Sequence, residues 1–568
     1  RHVLIDHQRA FASNYQRWIA EFETPREQAL LARLPEFASG PVFSVILPVY
    51  RTQPELLERA IGSVRSQSYP RWELCVADDC SESAEIAAIL EKHAAQDRRV
   101  KVTVLDKNRG ISGASNAALG LATGDYVATL DHDDELAPNA LLHAAAAIAG
   151  APEAELLYSD EDKIDAHGRR SDPFFKPDWS PDLLLSENYV CHLMVARHAL
   201  VERVGAFRGE YDGSQDYDLV LRLARETTRI VHIPHVLYRW RTAASSTALD
   251  SGHKPYANDA ARRAIADNLM ARGLAASVEQ GCAPGRFRVR YAIPGEPEVT
   301  ILIPSGGQVD VLRKNLKSLA AKTEYRHYRV VVIDNSRGTE VERCIRKLKG
   351  KILLEYLDFR NRPFNYSVLN NAAARQSKTP LLLFLNDDTE AIAPGWLGAM
   401  VELAMRPEVG AVGAKLLYPD GRIQHAGVVM GLFENCGHAF KGLDGRLQHY
   451  FDLPDAIRNV SAVTGACLMT RSEIFAEVGG FDEARLAVAF NDIDLCLKIG
   501  SRGYRVLYTP HALLYHHEAL SKTERDLIPH PDEVAVMQSR WKDTIAADPF
   551  YSPNLSRTGE DYSLRRTE

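Results

Sequence analysis

Short apolar runs alternate along this chain with segments in which apolar residues recur every three or four positions. SVILPV (Ser44–Val49) is a continuous apolar run that predicts a buried strand, and LLERAIGSVRSQ (Leu56–Gln67) has the spacing of an amphipathic helix. Two further apolar runs, ELCVAD and YVATLD, end in Asp78 and Asp131. Strands that alternate with helices predict parallel pairing in a covered α/β sheet, with ligands beyond the carboxyl ends of the strands.

The same pattern occurs twice. Four pairs of residues mark the repeat: Pro48 and Pro304, Asp78 and Asp334, Asp131 and Asn386, and Asp216 and Asp492. The separation is 256 residues (304 − 48) at the first two pairs, 255 at the third and 276 at the fourth. A separation held over ninety-odd residues and then lengthened indicates two homologous domains, the second with an insertion of about twenty residues. The Gly-rich stretch Gly427–Tyr450 is where we expect that insertion.

The boundaries follow from composition. YQRWIAEF and REQALLARL have apolar residues at helical spacing, so we expect residues 1–40 to form an N-terminal helical segment on the first domain. CAPGRFRVRYAIPGEPE is rich in Pro and Gly, which is typical of a linker. The expected organisation is therefore a first domain over 41–285, a linker over 286–298, a second domain over 299–545 and a C-terminal tail over 546–568.

Composition narrows the function classes. With 45% hydrophobic and 25% charged residues the chain has an ordinary globular composition, and a net charge of -7 without a Lys/Arg-rich run gives no reason to expect nucleic acid as a partner. No apolar run approaches the ~18 residues of a membrane span, no leader peptide precedes the domains, and the scattered cysteines lack C-x-x-C spacing. A cytoplasmic protein is expected. Because the chain begins at Arg1, we expect a piece of a longer protein.

The acid cluster after the third strand needs an explanation. Asp131, Asp133 and Asp134 lie together in YVATLDHDDEL, and like charges repel one another. A purely structural explanation is that Asp134 caps the helix that follows. That explains one acid, whereas two carboxylates in D-x-D spacing can both reach one hard cation. The cluster returns as Asn386–Asp388 at the matching place in the second half, which favours a cation site in both.

Several motifs together resemble one enzyme family. VILPVY, VADD-S, KNRGISGASNAALGLATGDYVATLDHDD and QDYDLVLRLA resemble a family-2 glycosyltransferase with the GT-A fold. In the second half LNDDTEAIAPGWL, VTGACLMTRSEIFAEVGGFDE, FNDIDLCLKIGSRGYRVLYTP and YHHEALS resemble the rhamnosyltransferases and other polysaccharide-assembling members. The resemblance covers about Phe43 to Ser521 and implies two tandem GT-A domains of Rossmann-like, nucleotide-diphospho-sugar transferase type.

The resemblance also implies roles for single residues. Donor contacts are expected at Asp78 and Asp334 for the base, with Asp131, Asn386 and Asp387 beside the diphosphate. Asp133, Asp388 and His516 are the expected metal ligands for Mn²⁺ or Mg²⁺, and Asp216 and Asp492 the general bases. His516 is aligned with Arg239, so the first domain has no histidine there, and Arg239 or Arg241 is expected to bind diphosphate instead.

The predicted function is a bifunctional, inverting, metal-assisted hexosyltransferase that builds a bacterial surface polysaccharide such as O-antigen. The expected partners are UDP- or dTDP-sugar donors and a glycan or lipid-linked acceptor, met at the cytoplasmic face of the inner membrane. The aromatic segment FFKPDWSPDLL (Phe174–Leu184) and the insertion are candidate acceptor walls. Two alternatives stay open, namely one active domain with the other binding acceptor, and a non-catalytic glycan-binding scaffold. A nicotinamide dehydrogenase is excluded because no G-x-G-x-x-G opens a helix after either first strand.

Overall fold

A computed structural model describes residues 14–242, 255–348, 350, 352–518 and 530–567. Residues 1–13 of the expected N-terminal segment, and Ala519–Ser521 at the end of the YHHEALS motif, lie outside them. The segment is helical over residues 14–18, continues as a π-helix (Ile19–Glu23) and an α-helix (Thr24–Ala32), and ends in a 3₁₀ turn (Leu34–Phe37). Two α/β domains follow. Within the described residues, no helix has both the length and the apolar character needed to cross a bilayer.

The first domain is built on one sheet. Its strands are β1 (Phe43–Val49), β2 (Trp72–Asp78), β3 (Val100–Val104), β4 (Tyr126–Thr129), β5 (Glu135–Leu136), β6 (Leu156–Ile164), β7 (Arg170–Phe174), β8 (Met194–Arg197) and β9 (Ile230–Arg241). Their order is β3-β2-β1-β4-β8-β6-β9-β5, with β7 beside β6. β1 to β4 pair in parallel, β8 is antiparallel to β4 and β6, and β9 is parallel to β6. All seven residues of β1 are buried, as expected of a strand covered on both faces.

Helices cover both faces of this sheet. They are Pro54–Arg65, Ala84–Gln96, Gly110–Leu119, Ala140–Gly150, Pro181–Leu184, His198–Arg203, Gln215–Glu226 and Pro255–Ala271, with a 3₁₀ turn at Gly209–Tyr211. The helix predicted from LLERAIGSVRSQ is Pro54–Arg65, which buries the residues of its apolar stripe.

An antiparallel hairpin joins the domains. Its strands are β10 (Ala276–Gln280) and β11 (Phe287–Tyr291), so β11 occupies the first part of the range 286–298 that was expected to be linker.

The second domain repeats the sheet of the first. Its strands are β12 (Val299–Ser305), β13 (Tyr328–Asp334), β14 (Leu354–Asp358), β15 (Leu381–Leu385), β16 (Thr389–Ala391), β17 (Val409–Leu417), β18 (Ile423–His425), β19 (Val428–Met430), β20 (Cys436–His438), β21 (Arg458–Asn459), β22 (Cys467–Arg471) and β23 (Arg505–His516). The order β14-β13-β12-β15-β22-β17-β23-β16 matches the first sheet strand by strand. The predicted α/β class with two tandem domains of one topology is confirmed.

The helices of the second half are distributed in the same way. They are Val309–Lys322, Glu340–Leu348, Tyr366–Gln376, Trp396–Ala404, Ser472–Glu477, Asn491–Ser501, Pro531–Arg540 and Lys542–Ala546, with 3₁₀ turns at Leu432–Glu434 and Tyr450–Asp455. The small sheet of β19 and β20 has no counterpart among the described strands of the first domain. It lies within the stretch in which the insertion was expected.

A split in each sheet creates the place for a site. β1 pairs with β2 as far as Val49 and Asp78, but with β4 only as far as Ile46 and Thr129. Beyond that point β1 and β4 part at their carboxyl ends, which is where open α/β sheets bind ligands. β12 does the same, pairing with β13 to Asp334 but with β15 only to Phe384. The Pro residues that end these apolar runs fit here, since a Pro has no N–H to donate to a neighbouring strand.

The two domains share an extensive interface. One continuous cluster of buried apolar residues runs from the first domain into the second. Phe174 stacks on Phe451 with ring centroids 3.9 Å apart, and the Phe175 N–H donates to Tyr450 Oη (2.8 Å). The expected C-terminal tail also packs here, because the buried Asn554 donates to Asp160 Oδ2 (3.2 Å) in the first domain. These aromatic residues are therefore interface core, not an open acceptor wall.

Glu187 gives this interface a pH dependence. Its Oε2 pairs with Arg286 Nε (2.8 Å), while Oε1 is buried without a hydrogen-bond partner. Burial raises the pKa of Glu187 to about 7, outweighing the attraction of Arg286. The unfolded chain releases this proton near the ordinary value of 4.5, so the folded state binds the extra proton between the two values. Stability should therefore fall as pH rises from about 4.5 to about 7, by at most about 1.4 kcal/mol per pH unit.

Glu187→Gln should flatten that part of the pH profile, because the amide cannot ionise. Urea unfolding of parent and variant between pH 4.5 and 8 measures the effect, with the exposed Glu473→Gln as a control that leaves the slope unchanged. Equal slopes in parent and Glu187→Gln would contradict the assignment.

Candidate active sites

The first site is an open cleft of about 760 Å³ at the split between β1 and β4. Three of the predicted site residues line it, namely Asp131, Asp133 and Asp216. His192 and Trp240, which were not predicted as site residues, line it as well. They come from the ends of β4 and β9, the entry to β8 and the start of the helix Gln215–Glu226. Residues from four separate segments thus converge on one cleft.

Asp131 and His192 present two donor atoms to this cleft. Asp131 Oδ2 lies 3.9 Å from His192 Nε2, and 42% of the Asp131 side chain is exposed. The His192 ring stacks on Tyr238 with centroids 4.3 Å apart and meets Trp240 edge to face at 5.9 Å. Its backbone N–H donates to Glu161 Oε2 (3.1 Å). The imidazole is therefore held in place beside the carboxylate by packing and by the backbone.

Asp134 has a structural role. Tyr238 Oη donates to its Oδ2 (2.7 Å) and the Arg241 N–H to its Oδ1 (2.7 Å), which uses both oxygens. Its donor atoms lie within 4.8 Å of those of Asp131 and His192. Burial raises the pKa of Asp134 well above its ordinary value, and the neighbouring carboxylates add to the effect. Asp134 does not cap the following helix, whose N-cap is Asn139, so the helix-cap explanation of this residue is wrong.

Asp133 and Arg241 differ in how they face the cleft. Asp133, expected as a metal ligand, lines the cleft, and burial raises the pKa of its carboxyl. Arg241 was expected at the diphosphate. It is 4% exposed, donates from Nε to the Asp133 carbonyl (3.0 Å) and pairs with Glu135. Arg241 therefore stabilises the loop that carries the acid cluster and does not point into the cleft.

Asp216 lies at the start of its helix, beside Asn188. Asn188 Nδ2 donates to Asp216 Oδ2 (2.9 Å). Burial raises the pKa of Asp216, Asp131 acts in the same direction, and His192 opposes both. A carboxylate with a raised pKa accepts a proton more readily, which is what general-base chemistry requires. Asp218, two residues on, is buried and paired with Arg208 and Arg222, so it supports the helix.

The second site has the same frame with different ligands. Asp388 Oδ1 lies 3.2 Å from His516 Nε2, and Asn386 Nδ2 lies 3.4 Å from the same nitrogen. Burial acts to raise the pKa of Asp388, but the hydrogen bond and charge of His516 outweigh it, and the net shift is downward. Asp387 accepts from Ser305 Oγ (2.8 Å), and burial raises its pKa to about 7. His516 and Asn386 thus lie beside Asp388, the acid that the sequence aligns with Asp133.

Asp492 is the counterpart of Asp216. Its Oδ2 accepts the Gly465 N–H (2.6 Å), and the carboxylate lies at the first turn of the helix Asn491–Ser501. Burial raises the pKa of Asp492, as it does for Asp216. Each domain therefore has a half-buried acid of raised pKa at the start of the equivalent helix, two residues ahead of a fully buried acid, Asp218 or Asp494.

The strand register corrects one alignment. Glu135 pairs with Arg239 and Leu136 with Tyr238, while their counterparts Glu390 and Ala391 pair with Tyr515 and Leu514. Arg239 is therefore equivalent to Tyr515. The residue equivalent to His516 is Trp240, not Arg239. The first domain takes its histidine from the loop that leads into β8, at His192.

Asp78 and Asp334 lie at the ends of β2 and β13, as predicted. Asp78 accepts the Ser81 N–H (3.1 Å), and Asp334 accepts the Ser336 N–H (2.9 Å) and Tyr356 Oη (2.8 Å). Both carboxylates are at least nine-tenths buried and have local partners. In the first domain the next residue, Asp79, lines the cleft.

His192 and Asn188 are the residues that sequence analysis missed. No motif marks them, since ENYVCHLM precedes a strand whose position beside β4 and β6 the sequence does not reveal. One indirect signal was present in the sequence: the first half has no histidine at the position aligned with His516, so another residue had to take that place.

Two family models match the chain. The model for glycosyl transferase family 2 matches residues 44–202, and that for glycosyltransferase-like family 2 matches residues 297–543. Together they cover more than half of the sequence. The repeated sheet order and the repeated strand-end acids define an enzyme of the GT-A class, and the chain belongs to glycosyltransferase family 2. The fold and family inferred from the motifs are confirmed.

Long relatives match along nearly the whole chain. An uncharacterized protein of Sinorhizobium fredii is 46% identical over 559 residues, 95% of this chain and 61% of that one. The O-antigen biosynthesis protein RfbC of Myxococcus xanthus is 38% identical over 563 residues, 98% of this chain and 43% of that one. This chain thus spans about half the length of the curated relatives that it matches.

Solved structures resemble single parts of it. S. aureus TarS in complex with UDP-GlcNAc has 22% identity and a TM-score of 0.34, covering 40% of this chain and 66% of that one. A mannosyltransferase from Pyrobaculum calidifontis in complex with GDP-Man and Mn²⁺ has 18% identity and a TM-score of 0.31, covering 48% and 77%. The fold assignment therefore depends on the family match and the strand order.

Proposed function

We propose that the chain is a bifunctional, inverting glycosyltransferase in which each domain transfers one sugar from a nucleotide-sugar donor to a growing bacterial surface glycan. The observation that carries this proposal is the presence, in both domains, of a strand-end polar cluster and a half-buried acid at the start of the equivalent helix, Asp131 with Asp216 and Asn386–Asp388 with Asp492. A protein that only bound glycans would not require a half-buried carboxylate of raised pKa at the equivalent helix start in both domains.

The proposed step is a single displacement. Asp216 or Asp492 takes the proton of an acceptor hydroxyl while that oxygen attacks the anomeric carbon. The new glycosidic C–O bond forms as the bond to the nucleotide diphosphate breaks, and the diphosphate leaves with the bonding electrons. Attack from the face opposite the nucleotide inverts the anomeric configuration. Asn188 holds the Asp216 carboxylate by its Oδ2, which leaves the other oxygen for the acceptor proton.

The candidate metal ligands in each site fit a divalent cation. In the first site Asp131 and His192 would hold it, with Asp133 beside them, and in the second site Asp388 and His516 would do so, with Asn386 adding an uncharged oxygen. A cation bound there would stabilise the negative charge on the leaving diphosphate. Because Mg²⁺ prefers oxygen ligands in near-ideal octahedral geometry, an imidazole in each set favours Mn²⁺ over Mg²⁺. Asn386 reduces the charge of the second site, which supports a different donor there.

A specific observation also supports the single-site alternative. The second set has Asn386 where the first has Asp131, so it has one carboxylate fewer beside its histidine. If the second domain does not catalyse transfer, its cleft would serve to bind the acceptor. UDP- or dTDP-sugars are the proposed donors, and a lipid-linked or nascent glycan at the inner membrane face is the proposed acceptor. The name of the Myxococcus relative supports an O-antigen context.

Nucleotide release from a panel of nucleotide sugars tests the proposal. We expect release from at least one UDP- or dTDP-sugar with Mn²⁺, loss of release with EDTA, and recovery when Mn²⁺ is restored. Asp133→Ala should abolish release by the first site without changing the melting temperature by more than a few degrees, and the exposed acid variant Glu153→Ala should behave as the parent. The absence of release from every donor would overturn catalysis, and unchanged first-site release in Asp133→Ala would overturn its metal role.

A further inference from the structure

A second cluster of possible ligands lies away from both clefts. Glu27 on the N-terminal helix, His143 on the helix Ala140–Gly150 and His235 on β9 bring one donor atom each within 4.8 Å of one another. Glu27 Oε1 lies 2.6 Å from His143 Nε2 and 3.8 Å from His235 Nδ1. The two imidazole rings are 4.1 Å apart. None of the three residues belongs to the transfer chemistry.

The distances suit a transition-metal ion. With zinc bonds of 2.0–2.2 Å, the donors of a tetrahedral site lie about 3.3 Å from one another. The separations of Glu27 Oε1 from the two histidine nitrogens, 2.6 and 3.8 Å, lie on either side of that value, so small rotations of the side chains would equalise them. Two imidazoles and one carboxylate are a recurrent three-ligand set for zinc, with water as the fourth ligand.

The surroundings orient these three side chains. Asn139 Nδ2 donates to Glu27 Oε2 (2.8 Å), which leaves Oε1 directed at the histidines, as an outer-shell partner of a metal carboxylate does. His235 lies in a bulge of β9, because Ser159 pairs with Ile233 and Asp160 already pairs with Val236. A bulge of this kind redirects a side chain. His143 is 6% exposed and His235 25%, so the site is largely shielded from water.

The second domain lacks the site at the equivalent position. His511 matches His235, but the residue equivalent to His143 is Gly398. Burial lowers the pKa of His511 to about 3, and the cationic Arg288 and Arg290 act in the same direction. The ligand set therefore exists only where the N-terminal helical segment packs on a catalytic domain, within the described part of the chain.

We propose that Glu27, His143 and His235 bind one divalent transition-metal ion of the zinc type, which fastens the N-terminal helical segment to the first domain. The segment is otherwise docked by the buried rings of Tyr15 and Trp18, with Trp18 4.8 Å from Phe175 between ring centroids. Polar contacts add to this, such as Tyr15 Oη with Asp162 Oδ2 (2.8 Å) and Glu23 with Arg170 (2.6 Å). A metal would add a link between the N-terminal helix, the helix Ala140–Gly150 and β9. This site is independent of the proposed transfer activity.

Cobalt serves as a spectroscopic probe for it. The full chain, stripped with EDTA and dialysed, would be titrated with Co²⁺ alone, and the intense visible absorption of tetrahedral Co²⁺ followed, then displaced by Zn²⁺. His143→Gln and His235→Gln should each weaken binding at least ~10-fold. His511→Gln, the matched position of the second domain, should retain the absorption, as should His192→Gln and His516→Gln at the active sites.

Two results would overturn the proposal. One is an unchanged absorption in His143→Gln, which would mean that Glu27 and the histidines form only a hydrogen-bonded contact. The other is an absorption lost only in His192→Gln or His516→Gln. Should the His143 variant not fold, X-ray absorption of the parent with one equivalent of Zn²⁺ decides the matter. Scattering from two imidazoles is expected, and scattering from one or none would exclude the site.

Discussion

Asp216→Asn is expected to lower nucleotide release from one donor by about 10²- to 10⁴-fold while release from a second donor continues, and Asp492→Asn is expected to do the reverse. The amide keeps the shape of the side chain but cannot take the acceptor proton. A loss of that size corresponds to roughly 3–5 kcal/mol of transition-state stabilisation. Steady-state release with each donor, in the presence of acceptor and Mn²⁺, is the measurement.

Asp218→Asn is the matched control, two residues further along the same helix. This carboxylate pairs with Arg222 Nη2 (2.8 Å) and with Arg208, so its loss should lower the melting temperature and affect both donors alike. If Asp492→Asn behaves as the parent with every donor, the second domain is not a catalyst and the single-site alternative holds. If neither variant loses release, both base assignments fail.

Arg406→Met is expected to destabilise the interface between the domains by up to about 3–5 kcal/mol, because it leaves the buried Asp182 carboxylate with only the more distant Arg505 (3.5 Å) as a counter-ion. Arg406 of the second domain pairs with Asp182 of the first at 2.5 Å, and the two side chains are 5% and 2% exposed. Burial acts to raise the pKa of Asp182, but Arg406 and Arg505 outweigh it and hold the pKa below its ordinary value. Asn459 Nδ2 also donates to Asp182 Oδ2 (3.1 Å).

Urea unfolding of Arg406→Met, Asp182→Asn and the double variant measures this pair. The double variant should lose less than the sum of the single variants, since the second change removes the charge that the first left unpaired. The exposed pair of Arg33 and Glu36 gives a control, because surface ion pairs contribute ~0–1 kcal/mol. Additive losses in the double variant would show that Asp182 and Arg406 do not stabilise each other.

Most of the fold could be predicted from the sequence. Continuous apolar runs such as SVILPV predicted the buried strands, and the repeat at about 256 residues predicted two domains of the same topology. These features are local or periodic, so they survive in a single sequence. The pairing of β10 with β11 was missed, although Pro284–Gly285 between them is a turn signal and FRVRY alternates apolar and basic residues.

The candidate sites were predicted in part. Asp131, Asp133, Asp216, Asp388 and Asp492 end strands or begin helices, and the rule that ligands bind at the carboxyl ends of parallel strands places such residues together. The different roles of neighbouring acids in the same cluster could not be predicted. Asp134 lies within the same run of acids as Asp133, yet its two oxygens are used by Tyr238 and Arg241.

The sequence by itself determined the family, the duplication and the acids that end the strands, because each is written in apolar periodicity or in ordered motifs. Only the tertiary structure decided which side chains complete each site. His192 reaches Asp131 because β8 enters the sheet antiparallel beside β4, and Trp240 occupies the position of His516 because the register of β5 with β9 sets it. Contacts between residues distant in the chain are fixed by strand register and packing, which no local pattern encodes.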